Sequence, residues 1–148
     1  MDIGDVVKDF ELPDQNGTLR RLSSMLEEGP VVLFFYPAAM SKGCTVEVCH
    51  FRDLAGEFRA TGAQPVGISA DDVSKQQQFA GANDVPFPLL SDKDKLVAEQ
   101  FGVRRRLGLP VKRHTFVISP DSTVLEVISS ELSMEAHADR ALEVLRQG

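Results

Sequence analysis

Apolar and polar residues alternate along the chain in segments that predict buried strands separated by helices. Residues 31–36 form an unbroken apolar run with turn residues on both sides, which is typical of a strand buried on both faces of a sheet. We therefore expect this strand at the centre of the sheet. Four further strands are predicted, over residues 65–69, 89–90, 115–118 and 123–127, the last two joined by a tight turn at 120–122.

One predicted helix includes a cysteine. Apolar residues follow Cys44 at helical spacing, at Val48, Phe51, Ala55 and Phe58, so we predict a helix that continues to residue 60 and ends at a glycine. Four further helices are predicted, over residues 23–28, 72–83, 93–101 and 134–146. Near the start, residues 10–12 and 18–20 flank an Asn-Gly pair, which is typical of a β-hairpin.

The order of these elements predicts an α/β protein with a central mixed β-sheet, helices on both faces and an N-terminal β-hairpin. A length of 148 residues, of which 43% are hydrophobic, allows one domain over residues 1–148 to bury a core without disulfide support. We find no linker, low-complexity run or internal repeat that would divide it.

Composition and charge exclude several classes of function. The net charge of -6 gives no electrostatic reason to bind nucleic acid or an anionic membrane. No apolar stretch approaches the roughly 20 residues that span a bilayer, and the first residues lack the pattern of a secretory signal. We therefore expect a cytoplasmic protein. In a reducing compartment, a pair of cysteines is more often catalytic or metal-binding than a structural disulfide.

Both cysteines, Cys44 and Cys49, lie on the helix that follows the central strand. Cys44 is expected in the first helical turn, where free backbone N–H groups and the helix dipole favour a thiolate. Ser41 is placed to cap this helix, or to bind the sulfur and an incoming oxygen atom. Pro37 shapes the preceding loop, and Gly43 lets the backbone approach a ligand closely.

Thiolate formation alone does not explain fast chemistry, since an ordinary cysteine is already a few per cent ionised at neutral pH. A fast reaction also needs a cation or paired N–H groups directed at the reacting oxygen atoms. Arg113, which leads into the strand over residues 115–118, is the candidate cation, and Arg52 is a weaker candidate on the helix. The alternative for Arg113 is an ordinary salt bridge at the edge of the sheet.

The spacing of the two cysteines limits what they can do together. In a regular helix, positions 44 and 49 have Cα atoms about 8.6 Å apart. A disulfide needs a separation below roughly 7 Å. A disulfide between Cys44 and Cys49 would therefore require the helix to unwind locally, which suggests an element with two states, a wound dithiol form and an unwound disulfide form.

Several of these residues resemble a known family. Pro37, Ser41 and Cys44 fit the Pro-x-x-x-Thr/Ser-x-x-Cys motif of the peroxiredoxins, and the step to Cys49 resembles the peroxiredoxin Q or bacterioferritin comigratory protein subfamily. The opening segment and the Arg-x-Thr-Phe strand within residues 113–118 resemble further motifs in the same order. The resemblance thus covers nearly the whole chain.

The resemblance implies a thioredoxin-like fold and a thiol peroxidase that acts on hydrogen peroxide and organic hydroperoxides, with no metal or bound organic cofactor. Cys44 would attack the peroxide and become a sulfenic acid. Cys49 would resolve it as an intramolecular disulfide, which thioredoxin or a similar thiol reductant reopens. Pro37, Ser41 and Arg113 would complete the peroxide pocket. Because the disulfide lies within one chain, a monomer is plausible and a dimer possible.

The chain departs from the family pattern at three positions. Ser41 replaces the commoner threonine and loses the methyl group that restricts the rotamer. Lys42 and Lys8 stand where the subfamily usually has proline, and at Lys42 the entry to the helix lacks a rigid ring. These departures bear on rate and substrate preference rather than on the class of reaction.

The same residues allow other interpretations. A metal site built from Cys44, Cys49 and His50 has the wrong spacing and too few ligands, and a thioredoxin-type dithiol would need a Cys-x-x-Cys pair. Cys44 could also be a buried structural thiol in a redox-inactive, thioredoxin-like binding or scaffold module. His114 and His137 are expected to be ordinary surface or strand residues.

Overall fold

The computed structural model describes residues 1–147, in which strands and helices alternate along most of the chain. The strands are β1 (Glu11–Pro13), β2 (Leu19–Arg21), β3 (Val31–Phe35), β4 (Gln64–Ser69), β5 (Leu89–Ser91), β6 (His114–Ile118) and β7 (Val124–Ser129). The helices are α1 (Leu22–Leu26), α2 (Lys42–Asp53), α3 (Ala55–Ala60), α4 (Val73–Asn83), α5 (Leu96–Gln100) and α6 (Met134–Gln147). The predicted end of the domain, at residue 148, lies outside the described residues.

Five strands form a mixed sheet in the order β5-β4-β3-β6-β7. Strand β3 pairs in parallel with β4 and antiparallel with β6, and every residue of β3 is buried. The unbroken apolar run therefore lies at the centre of the sheet, as predicted. Strands β1 and β2 form the expected antiparallel hairpin, with Leu12 opposite Arg20. The predicted α/β, thioredoxin-like fold is confirmed.

Side chains of β3 alternate between two cores, one on each face of the sheet. Leu33 and Phe35 enter a core that includes residues of α1 and α5. Phe34 enters the opposite core, which includes residues of α2, α4 and α6. On that face, the rings of Phe34 and Phe51 stack with centroids 4.2 Å apart. Because Phe51 belongs to α2, this stacking fixes the cysteine-bearing helix against the central strand.

Two predicted helix boundaries are wrong. The helix predicted to continue to residue 60 is interrupted at Leu54 (φ -97°, ψ 8°), which separates α2 from α3. Helix α5 begins three residues late because Lys95 has a left-handed backbone (φ 58°), and the carboxylate of Asp92 accepts hydrogen bonds from the N–H groups of Val97 and Ala98. None of the helices within residues 1–147 is both long and apolar enough to cross a membrane.

Gly67 of β4 is tightly packed in the core beside the cysteine-bearing helix. A Cβ atom there would lie 2.7 Å from Leu89 Cδ2 and 3.0 Å from ring atoms of Phe34 and Tyr36. We expect Gly67→Ala to lower the free energy of unfolding by about 1–3 kcal/mol, because aromatic rings in a packed core cannot yield easily. Denaturant unfolding measures this change.

Gly56→Ala is the matched control for this prediction. Gly56 lies in α3, and a Cβ atom there meets nothing within 4 Å. Alanine favours a helix over glycine, so this variant is expected to raise the free energy of unfolding by about 0.5–1 kcal/mol. Equal stability of the two variants would contradict the tight packing around Gly67.

Candidate active site

Cys44 is the third residue of α2, in its first turn, and its side chain is 0% exposed. Ser41 is the N-cap of this helix, as predicted, and its Oγ accepts a hydrogen bond of 3.4 Å from the Cys44 N–H. The Ser41 hydroxyl itself donates to the carbonyl oxygen of Ala38, at 2.8 Å. The cysteine sulfur therefore lies near the positive end of a capped helix, where negative charge is stabilised.

The loop from Pro37 to Ser41 connects the central strand to this helix. Pro37 is half-buried at the start of the loop, directly after the fully buried Tyr36. The N–H of Ala39 donates a 2.7 Å hydrogen bond to Oδ2 of Asp71, which follows β4. Asp71 was not predicted as part of the site, since nothing in its local sequence pattern indicates a contact with this loop. The contact ties the loop to the adjacent strand.

Arg113 brings a positive charge to the sulfur. Its Nη2 lies 3.2 Å from Cys44 Sγ, and its Nη1 donates a 2.8 Å hydrogen bond to Oε1 of Glu47. Burial acts against a charged guanidinium, but the charges of Glu47 and Cys44 outweigh it and raise the pKa of Arg113, which stays cationic. A Cβ atom at Gly43 would lie 3.4 Å from Arg113 Nη2, so the glycine backbone faces the guanidinium.

Glu47 is a buried acid that sequence analysis did not single out. Its side chain is 0% exposed, and burial, only partly offset by Arg113, raises the pKa of Glu47 to about 8. A signal for it exists in the sequence. Cys44, Glu47, Val48 and Phe51 follow the i, i+3, i+4, i+7 spacing of one helix face, so Glu47 is a charged residue within an apolar stripe.

The expectation that His137 is an ordinary surface or strand residue is wrong. His137 lies on α6 and is 0% exposed, because α6 packs against α2 and β6. Its Nδ1 is 2.7 Å from Thr115 Oγ1, and its Nε2 is 2.8 Å from the carbonyl oxygen of Ser130. Burial lowers the pKa of His137, so the ring is neutral at pH 7. His114, in contrast, is a partly buried residue of β6, in line with the expectation.

Cys49 lies on the same helix, in a different environment. Both cysteines are free thiols, and α2 is continuous between them. Cys49 is half-buried, and its thiol donates to Oδ1 of Asn83 at 3.4 Å. The guanidinium of Arg52 donates to the Asn83 carbonyl oxygen, at 2.8 Å, so Arg52 lies beside Cys49. The weaker candidate cation is therefore not part of the arrangement around Cys44.

The residues weighed as metal ligands do not come together. His50 pairs with Asp139, at 2.7 Å, whereas Cys44 faces the core and Cys49 contacts Asn83. Within residues 1–147, no group of three or more His, Cys, Asp and Glu side chains has the arrangement of a metal site.

The assembled group has a defined chemical capacity. A thiol at a helix N-terminus beside a guanidinium can carry negative charge on sulfur, and the same guanidinium can stabilise negative charge that develops on the oxygen atoms of a small molecule. The predicted residues Ser41, Gly43, Cys44 and Arg113 all lie within this group, while Pro37 begins the loop that leads to it.

Known proteins resemble this chain over most of its length. The AhpC/TSA family model matches residues 3–127. The chain is similar to the crystal structure of peroxidoxin BcpB from Mycobacterium tuberculosis, with 63% sequence identity and a TM-score of 0.96, covering 99% of this chain and 97% of that one.

Proteins named peroxiredoxin Q show the same likeness. The chain is 37% identical to chloroplastic peroxiredoxin Q of Populus jackii, over 97% of this chain and 67% of the relative. A structure of Xanthomonas campestris peroxiredoxin Q aligns with a TM-score of 0.84 and 30% identity, over 93% of this chain and 90% of that one. The protein therefore belongs to the AhpC/TSA family, within the peroxiredoxin Q or bacterioferritin comigratory protein group of thiol peroxidases.

Proposed function

We propose that the protein reduces hydrogen peroxide and organic hydroperoxides through Cys44, with Cys49 as the resolving cysteine and a thioredoxin or similar thiol as the reductant. The observation that carries this proposal is the 3.2 Å contact between Arg113 Nη2 and Cys44 Sγ at the start of α2. A buried guanidinium beside a thiol supplies positive charge where both the thiolate and the peroxide oxygens need it.

The first step oxidises the sulfur by two electrons. The Cys44 thiolate attacks one peroxide oxygen, the O–O bond breaks, and Cys44 becomes a sulfenic acid. The second oxygen departs as hydroxide or alkoxide and takes up a proton to leave as water or an alcohol. Arg113 stabilises the negative charge on the oxygen atoms as the bond breaks. Ser41, which caps α2 at Cys44, and Pro37, at the start of the loop, would shape the pocket.

The second step forms the disulfide. The Cys49 sulfur attacks the sulfenic acid, which forms an S–S bond and releases water. Because Cys44 faces the core and Cys49 contacts Asn83, the two sulfurs point away from each other, and part of α2 must unwind before they meet. A dithiol reductant then reduces the disulfide and becomes oxidised itself. This cycle suits a cytoplasmic pool of reduced thiols and needs no second copy of the chain.

A thiol count tests the proposed function. The reduced wild type, mixed with one equivalent of hydrogen peroxide, is expected to lose both free thiols. Cys49→Ser is expected to lose its one remaining thiol and to form a sulfenic acid that a dimedone probe traps and mass spectrometry detects.

Two outcomes would contradict the proposal. Thiols that remain unreactive after excess peroxide would favour a redox-inactive binding or scaffold module. A wild type that loses only one thiol would show that Cys49 does not resolve Cys44. Oxidised Cys44 would then have to be reduced without a disulfide to Cys49.

A further inference from the structure

A buried histidine extends the group around Cys44 beyond the residues that touch it. Glu47 Oε1 binds Arg113, but among the described residues Glu47 Oε2 has no hydrogen-bond partner. That oxygen lies 3.7 Å from His137 Nδ1. Glu47 and His137 are both 0% exposed, so neither side chain reaches the bulk solvent. An unpaired polar atom in such a place is costly, so its presence calls for a physical explanation.

The contacts of His137 define where its protons lie. The Ser130 carbonyl can only accept, so Nε2 carries a hydrogen. Nδ1 then faces both the Thr115 hydroxyl, at 2.7 Å, and the carboxyl of Glu47. With Nδ1 unprotonated, either of these two groups can donate to its lone pair. Thr115 lies within hydrogen-bond distance of this acceptor and Glu47 lies just beyond it, so the two are alternative donors to one acceptor.

The charges also favour one retained proton. With Cys44 as a thiolate and Arg113 as a cation, an ionised Glu47 would leave the buried group with an uncompensated negative charge, which is unfavourable away from water. One proton held by Glu47 and His137 makes the group neutral. Consistently, burial raises the pKa of Glu47 to about 8.

We propose that His137 is a positioning residue for the peroxide reaction. Together with Glu47 it holds one dissociable proton. While this proton is bound, Glu47 is neutral, and the positive charge of Arg113 acts on Cys44. When the proton leaves, the Glu47 carboxylate neutralises Arg113 and repels the thiolate. This inference rests on the proposed function, since it concerns the reaction of Cys44 with peroxide.

The other ionisable groups near this proton are few. Arg113 directly precedes β6 and His114 is its first residue, Cys44 lies on α2 one turn before Glu47, and Glu131 precedes α6. Glu131 accepts a hydrogen bond from the Arg113 N–H and raises the pKa of Glu47 further. Burial also lowers the pKa of His114, so its charge does not change in the alkaline range.

The proposal predicts a fall in rate at alkaline pH. For a simple thiol, the rate constant with peroxide rises with pH as thiolate forms and then levels off. Here the proton on Glu47 and His137 is present below about pH 8 and lost above it. The rate constant of Cys44 should therefore fall roughly tenfold as the pH rises through this range, since two like charges then share one guanidinium.

Stopped-flow measurement of the rate constant with hydrogen peroxide, from about pH 6 to pH 10, tests this. Glu47→Gln keeps an acceptor for Arg113 but cannot ionise, so its profile should show no alkaline fall. In His137→Asn, the amide donates to Glu47 and stabilises the carboxylate, so the fall should move to lower pH by about one unit. In Thr115→Val, the competing hydroxyl is lost, and the fall should move to higher pH.

A purely structural role for His137 could lower stability but would not move the profile in opposite directions. His50→Asn is the matched control, because His50 lies on α2 but pairs with Asp139, and it should leave the profile unchanged. An alkaline fall that persists in Glu47→Gln, or one that neither His137→Asn nor Thr115→Val displaces, would overturn the inference. No reaction of the wild type with peroxide at any pH would instead refute the proposed function itself.

Discussion

Cys44→Ser is expected to abolish peroxide reduction, with a loss of at least about a thousandfold in the rate of peroxide consumption. A serine hydroxyl in this position would keep the size of the side chain and its contact with Arg113. It would nevertheless stay protonated, because a guanidinium and a helix N-terminus cannot ionise an alcohol. Consumption of hydrogen peroxide with thioredoxin and its reductase, or with dithiothreitol, measures the loss.

The matched control for this prediction is Cys49→Ser, which changes the same atom in the same helix. This variant is expected to keep one fast turnover with peroxide, since Cys49 lies beside Asn83 and away from Arg113. Its steady-state turnover with thioredoxin should fall. If Cys44→Ser retained the activity of the wild type while Cys49→Ser lost its first turnover, the roles of the two cysteines would be reversed.

Arg113→Ala is expected to slow the reaction of Cys44 with peroxide by about 10²- to 10³-fold, the effect of removing one donor that stabilises a developing oxyanion. The loss of stability should be smaller, at about 1–3 kcal/mol, because Glu47 already holds a proton at neutral pH and is not left as an unpaired buried charge. Stopped-flow kinetics and denaturant unfolding measure the two quantities separately.

Arg113→Lys separates charge from geometry. Arg113 donates to Cys44 from one nitrogen and to Glu47 from another, which a single ammonium cannot do in the same arrangement. We expect the lysine variant to react at a rate between those of the alanine variant and the wild type. A rate unchanged in Arg113→Ala would remove this residue from the site and leave it as an ordinary salt-bridge partner.

Much of the fold follows from local patterns. The run at residues 31–36 predicted the central strand because a strand without a polar face must be covered on both sides. A helix was predicted over residues 72–83, and Asp72, at the start of this range, caps α4 by accepting a hydrogen bond from the Lys75 N–H. The break at Leu54 and the late start of α5 were not predicted, since the backbone angles of Leu54 and Lys95 and the contacts of the nearby Asp92 carboxylate determine them.

The residues of the candidate site also differ in how far the sequence predicts them. Cys44 and its cap Ser41 lie three residues apart, so helix geometry alone brings the cap to the cysteine backbone. Arg113 is 69 positions away from Cys44; the need for a cation and a family motif made it a candidate, but only the structure placed its Nη2 at the sulfur. Glu47 carried a weak signal, as a charged residue in an apolar stripe, whereas Asp71 and His137 carried none.

The amino-acid sequence by itself thus determined the order of strands and helices, the cysteine at a helix start and the family. These depend on periodicity and on contacts a few residues apart. Only the tertiary structure decided that Glu47 and His137 are buried side by side behind Arg113. The physical reason is that the protonation of a buried charged group depends on its partners in space, and here these partners come from α2, β6 and α6.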